Sequence, residues 1–168
     1  MKKNIALVGF MGAGKSAVGK VLAKRLAMDF VDLDAAIEEK EKRSIAQIFE
    51  ESGEPYFRRI EKEVVKEFSG KEGQVLACGG GVVMDEENMA RLKQSANLVY
   101  LKTSPEIILK RTQSYQHRPL LNVPDPKKKI EELLKIREPF YARADFTVDT
   151  SDKEIREIVE EILKRFAA

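Results

Sequence analysis

Eight residues, Gly9-Phe-Met-Gly-Ala-Gly14-Lys15-Ser16, lie between a short apolar run, Ile5–Val8, and a stretch of helical periodicity. This is the pattern Gly-x-x-x-x-Gly-Lys-Ser in the strand–loop–helix setting that gives it meaning. Glycines let the backbone turn so that successive N–H groups face one point, and the helix that follows adds partial positive charge there. A lysine and a hydroxyl beside such a turn suit a polyphosphate. Lys15 is expected to reach the β- and γ-phosphates of a nucleoside triphosphate, and the Ser16 hydroxyl to hold Mg²⁺. Gly9, Gly12, Ala13, Gly14, Lys15, Ser16 and Ala17 are therefore read as the nucleotide-binding loop.

The rest of the chain repeats the strand–helix alternation. Apolar runs at Ile5–Val8, Phe30–Leu33, Val75–Cys78, Leu98–Leu101 and Phe146–Val148 predict five strands. Between them the period shifts to 3.6. Val18, Val21, Leu22 and Leu26 share one helix face, and Ile155, Ile158, Val159, Ile162, Leu163 and Phe166 share another. Ser44 with Gln47 and Ser151 with Glu154 read as capping boxes. Ser104-Pro105 and Asp125-Pro126 each place a capping oxygen before a first-turn proline. Alternation of this kind predicts an α/β fold, a parallel five-stranded sheet covered by helices on both faces, in one domain spanning residues 1–168.

Composition narrows the function. The net charge is +2, from 30 basic and 28 acidic residues, with no basic stripe, so nucleic acid is not expected as a partner. The run Lys127–Lys129 reads as a solvated helix face. The single cysteine, Cys78, allows no internal disulfide and no cysteine-based zinc site, and it suits a reducing compartment. No segment has the run of apolar residues that spans a bilayer. A cytoplasmic protein is expected.

Three features point to what receives the phosphate. Asp32-Leu33-Asp34 is read as the carboxyl end of the second strand, where alternation would put both aspartates on one side. One would serve the metal and the other the attacking hydroxyl; helix capping is the competing reading for such a pair. On the following helical stretch Phe57, Ile60, Val64 and Phe68 form the buried stripe, leaving Arg58 and Glu61 paired at i, i+3, a guanidinium oriented by a carboxylate and suited to an anion. Gly79-Gly80-Gly81 ends the third strand. Three consecutive glycines there are costly in chain entropy and are expected where a ligand lies against the backbone.

With Arg118-Pro-Leu-Leu121 and Arg137-Glu-Pro-Phe-Tyr141, in this order and spacing, the chain resembles the shikimate kinase family over essentially its whole length. The resemblance implies a P-loop fold like that of nucleoside monophosphate kinases, with an acceptor-binding region at about residues 34–61 and a mobile lid at about 113–124. It implies transfer of the γ-phosphate of ATP to the 3-hydroxyl of shikimate, on the route to chorismate and the aromatic amino acids. By matching motif, Asp34, Arg58, Glu61, Gly79, Gly80, Gly81 and Arg137 would bind shikimate, and Asp34 would accept or steer the hydroxyl proton. Arg118 would come from the lid onto the ATP phosphates, Arg111 would stack on adenine, and Lys153 would approach the nucleotide. Lys15, Asp34 and Arg118 are thus the expected catalytic set, Ser16 and Asp32 the Mg²⁺ ligands, and a monomer the expected state. Ala17 departs from the family's common threonine, which removes one phosphate contact and no metal ligand. His117 is read as a solvated loop residue and Cys78 as packing.

Overall fold

The computed structural model describes residues 4–113 and 121–167. Five parallel strands form one sheet: β1 (Asn4–Val8), β2 (Asp29–Asp32), β3 (Gln74–Ala77), β4 (Ala96–Lys102) and β5 (Phe146–Asp149), in spatial order β2-β3-β1-β4-β5. Eight α-helices are present among the described residues. They are α1 (Lys15–Leu26), α2 (Leu33–Glu41), α3 (Ile45–Ser52), α4 (Glu54–Ser69), α5 (Glu86–Ser95), α6 (Pro105–Thr112), α7 (Pro126–Tyr141) and α8 (Ile155–Ala167).

The central strands β1, β3 and β4 are near-continuous buried runs because both their faces are covered. Alternate residues feed two cores. Ala6, Val8, Leu76, Leu98 and Tyr100 pack with side chains of α2–α5 and α7, while Ile5, Leu7, Val75, Val99 and Leu101 pack with α1 and α8. A third, smaller cluster joins Phe10 of the glycine loop to Ile108, Leu121 and Ile130. Register then fixes the functional edge. Leu7 pairs with Ala77, and Ala77 with Asp32, so the loops that leave β1, β2 and β3 start side by side.

Three sequence expectations need correction. The strand β2 stops at Asp32; Leu33 and Asp34 are already helical, because the Asp32 carboxylate caps α2 through the N–H groups of Asp34 (3.0 Å) and Ala35 (3.2 Å). The alternation argument for the two aspartates therefore fails, although both still face the same cavity. The helix α8 starts at Ile155, and its first turn is held by the Glu157 carboxylate accepting from Glu154 N–H (2.7 Å), so Ser151 does not cap it. Its hydroxyl instead accepts from Ser104 N–H. Val21 and Ile155, placed on buried faces by periodicity, are 40% and 42% exposed, because each sits at the margin of its helix's apolar stripe. The Ser44–Gln47 capping box and the Ser104 and Asp125 caps form as expected.

Of the lid stretch, Gln113 and Leu121–Pro124 are described; Arg118 and His117 lie outside the described residues.

Candidate active site

Between β1 and α1 the backbone adopts left-handed conformations at Gly12 (φ 83°) and Gly14 (φ 92°), which side chains rarely tolerate. Gly14 precedes α1 with no side-chain cap, and the first turn carries no acidic residue. The helix N-terminus thus keeps its partial positive charge and its N–H donors for an external anion. Lys15 curls back over the loop, its Nζ donating to the carbonyls of Gly9 (2.6 Å) and Phe10 (2.9 Å). Arg111, on α6, donates to Gly12 O at 3.0 Å, which brings a second cation onto the loop.

Asp32 divides its two oxygens between two tasks. Oδ1 caps α2, and Oδ2 accepts from Ser16 Oγ at 2.8 Å. Helix capping and a place beside the phosphate loop are competing readings of the sequence; one carboxylate does the first with Oδ1 while its Oδ2 faces Ser16.

Across the cavity the glycine triplet meets four charged side chains. A Cβ added at Gly79 would lie 2.8 Å from Asp34 Oδ1 and 3.1 Å from Glu61 Oε2. At Gly80 it would lie 3.3 Å from Arg137 Nη1 and 3.3 Å from the Met11 amide nitrogen, and at Gly81 only 2.5 Å from Arg58 Nη1. The absent side chains therefore make room for the protein's own ionic groups, a stricter demand than room for a ligand alone.

Arg58 Nη1 donates to Glu61 Oε1 at 3.0 Å, as the i, i+3 spacing on α4 predicts. Glu61 is 2% exposed, and burial lifts its carboxyl to a pKa of about 7 against the opposing pull of Arg58, with Asp34 adding to the rise and Arg137 opposing it. Arg137 is 5% exposed, lies over the Phe10 ring at 5.6 Å, and keeps a buried Nη1 with no hydrogen-bond partner. A buried charged donor without an acceptor is expensive, and an incoming anion removes that cost.

These groups line one cavity of about 710 Å³. It runs from Lys15 and Ser16 past Asp32 and Asp34 to Arg58, Glu61, the glycine triplet and Arg137. Lys153 is not among the residues lining this cavity; its ammonium pairs with Glu161 of α8 at 2.6 Å. Sequence reasoning missed Phe49 as a lining residue and took Phe57 only for core; the rings meet at 4.9 Å to form an apolar wall. Phe49 is only partly buried at the margin of the core, beside the fully buried Ile48, and the position of α3 over the pocket gives it its second role as a lining residue. Cys78 also borders the cavity, but burial pushes its thiol up to a pKa of about 12 and leaves it unreactive.

Comparison with known proteins agrees with this geometry. The family model described as shikimate kinase matches residues 11–167. A shikimate kinase of Caldanaerobacter subterraneus subsp. tengcongensis is 46% identical over 164 residues, which is 98% of this chain and 96% of that one. The solved structure of a shikimate kinase from Acinetobacter baumannii in complex with shikimate superposes with a TM-score of 0.97 at 42% identity, covering 99% of this chain and 94% of that one. A gluconokinase from Sinorhizobium meliloti, at 18% identity and a TM-score of 0.66 over 98% and 92% of the two chains, shares the fold alone.

Proposed function

The chain belongs to the shikimate kinase family, and we infer that its cavity carries the γ-phosphoryl group of ATP to the 3-hydroxyl of shikimate. The observation that carries this reading is the cavity's pairing of a phosphate loop with a buried, unpartnered Arg137 donor. A phosphate loop alone names no acceptor. Two guanidiniums at the far end, Arg58 and Arg137, favour an acceptor with one carboxylate, and Asp34 with the glycine backbone favours hydroxyls.

The chain's own groups then have distinct tasks. The N–H groups at the start of α1 and Lys15 hold the β- and γ-phosphates, with Lys15 releasing the loop carbonyls it now contacts. Asp34 receives or steers the proton of the attacking hydroxyl. Because the transition state of phosphoryl transfer is loose, positioning outweighs deprotonation of the nucleophile. Glu61 keeps Arg58 in place, and the wall of Phe49 and Phe57 covers the carbocyclic ring. Arg111 faces the nucleotide from α6. The segment around Arg118 acts as the lid, bringing a further cation to the phosphates and excluding water.

The residues fit Mg²⁺: the Ser16 hydroxyl and Asp32 Oδ2 stand 2.8 Å apart beside the phosphate loop. The ion would be held by Ser16 and, through water, by Asp32, and would neutralise charge on the β- and γ-oxygens.

Among the described residues no helix is long and apolar enough to cross a membrane. The reading includes a cytoplasmic monomer, and the buried free thiol of Cys78 suits a reducing compartment.

The test is ADP release with ATP, Mg²⁺ and a panel of shikimate, quinate, gluconate and nucleoside monophosphates. Turnover is expected with shikimate alone; turnover with gluconate or a nucleotide in its place would overturn the acceptor.

A further inference from the structure

Tyr141 is fully buried one helical turn beyond Arg137, at the end of α7. A tyrosine in such a place needs a partner for its hydroxyl, and the partner here is on the active-site floor: Oη donates to the carbonyl oxygen of Gly80. The same phenol lies against the Arg137 guanidinium, which pulls its pKa down while burial, the larger effect, lifts it to about 12. The hydroxyl therefore stays protonated and remains a donor at any pH at which the protein works.

The ring itself is fixed. It stacks on Tyr100 with centroids 5.0 Å apart and planes at 18°, and Tyr100 in turn donates to Glu138, the residue after Arg137. The guanidinium also lies over the Phe10 ring. A Cβ at Gly80 would lie 3.3 Å from both Arg137 Nη1 and the Met11 amide nitrogen, so a small movement of its peptide changes the floor on which Arg137 rests.

We propose that Tyr141 is a positioning residue for the acceptor carboxylate: its hydroxyl locks the Gly80 peptide against Arg137, so that the unpartnered Nη1 is held in line with the incoming anion. This rests on the shikimate kinase reading for the identity of the anion. Tyr141 is not among the residues that line the cavity. Its effect is exerted through Arg137 and Gly80.

The experiment compares wild type, Tyr141→Phe and Tyr100→Phe by steady-state kinetics and by calorimetric titration of shikimate. Both variants keep the stacked rings, and each loses one buried hydroxyl. Tyr141→Phe is expected to raise the shikimate KM and Kd about tenfold, the loss of one hydrogen bond aligned with a charged group, with kcat within about twofold of wild type. Tyr100→Phe is expected to leave shikimate affinity within about twofold. The KM for ATP should not move in either. Unchanged shikimate affinity in Tyr141→Phe overturns the proposal, as does an equal rise in both variants, which would mean general loosening of the stack. Wild type that neither binds nor phosphorylates shikimate overturns instead the function on which the proposal rests.

Discussion

At Gly81 a single hydrogen atom stands where any other residue would put a carbon 2.5 Å from the Arg58 guanidinium. Arg58 is also held by Glu61, so its planar group has little freedom to step aside. Gly81→Ala is accordingly expected to raise the shikimate KM at least about tenfold while kcat and the ATP KM change little, measured by steady-state kinetics. A KM close to wild type would mean that the guanidinium moves without cost. The triplet is the part of the site whose importance the sequence announces and whose reason it conceals. Three glycines in a row predict close approach; that the approaching groups are Asp34 and Glu61, Arg137 and Arg58 depends on how three distant segments meet. Phe49 and Tyr141 are illegible for the same cause, since their partners, Phe57 on the next helix and Gly80 at the end of β3, are chosen by packing.

At the scale of elements, Asp32 shows how one side chain joins fold to chemistry. Its Oδ1 caps α2, which carries Asp34 and Ile37, while its Oδ2 faces Ser16. Asp32→Ala is expected to cost about 1 kcal/mol from the lost cap and to raise the Mg²⁺ concentration needed for half-maximal rate. Asp125→Ala, which removes the cap of α7 away from the cavity, should cost a similar amount and leave the Mg²⁺ requirement unchanged. Chemical denaturation and a Mg²⁺ titration of activity check both, and equal Mg²⁺ curves for the two variants would remove Asp32 from the metal site. The elements themselves are legible almost throughout, because the apolar runs of β1, β3 and β4 and the caps at Ser44, Ser104 and Asp125 each have one sensible reading. Asp32-Leu33-Asp34 misleads because a strand end and a capped helix start are indistinguishable over three residues. The start of α8 misleads because a serine with a glutamate three residues later imitates a capping box, while the turn is closed by Glu157 instead.

For the molecule as a whole, the buried Glu61 leaves a signature in stability. Its carboxyl titrates near 7 when folded and near 4.5 when unfolded. Between those values the folded state holds a proton that the unfolded state has released. The slope of stability against pH is therefore negative across that window: the Glu61 contribution is complete below about pH 4.5 and is lost as pH rises through 7. At about 1.4 kcal/mol for each pH unit separating the two values, this amounts to about 3 kcal/mol. The carboxylates with lowered pKa values, Asp85 and Asp149 among them, act with the opposite sign and at lower pH. Comparing urea denaturation of wild type and Glu61→Gln from about pH 4.5 to about pH 8 isolates the effect. The wild type should lose ground to the variant as pH rises, and parallel curves would place Glu61 in the ordinary carboxylate range.

The narrow space over Gly80, where an added carbon would lie 3.3 Å from both the Met11 amide nitrogen and Arg137 Nη1, bears on how this pocket can be altered. Added bulk on that floor would press on the phosphate loop and on the Arg137 guanidinium together. Ile45 and Phe49 line the cavity from α3, a separate short helix that meets α4 through the Phe49–Phe57 ring pair. Redesign toward a bulkier acceptor therefore starts at the short helix over the cavity, not at the strand ends beneath it.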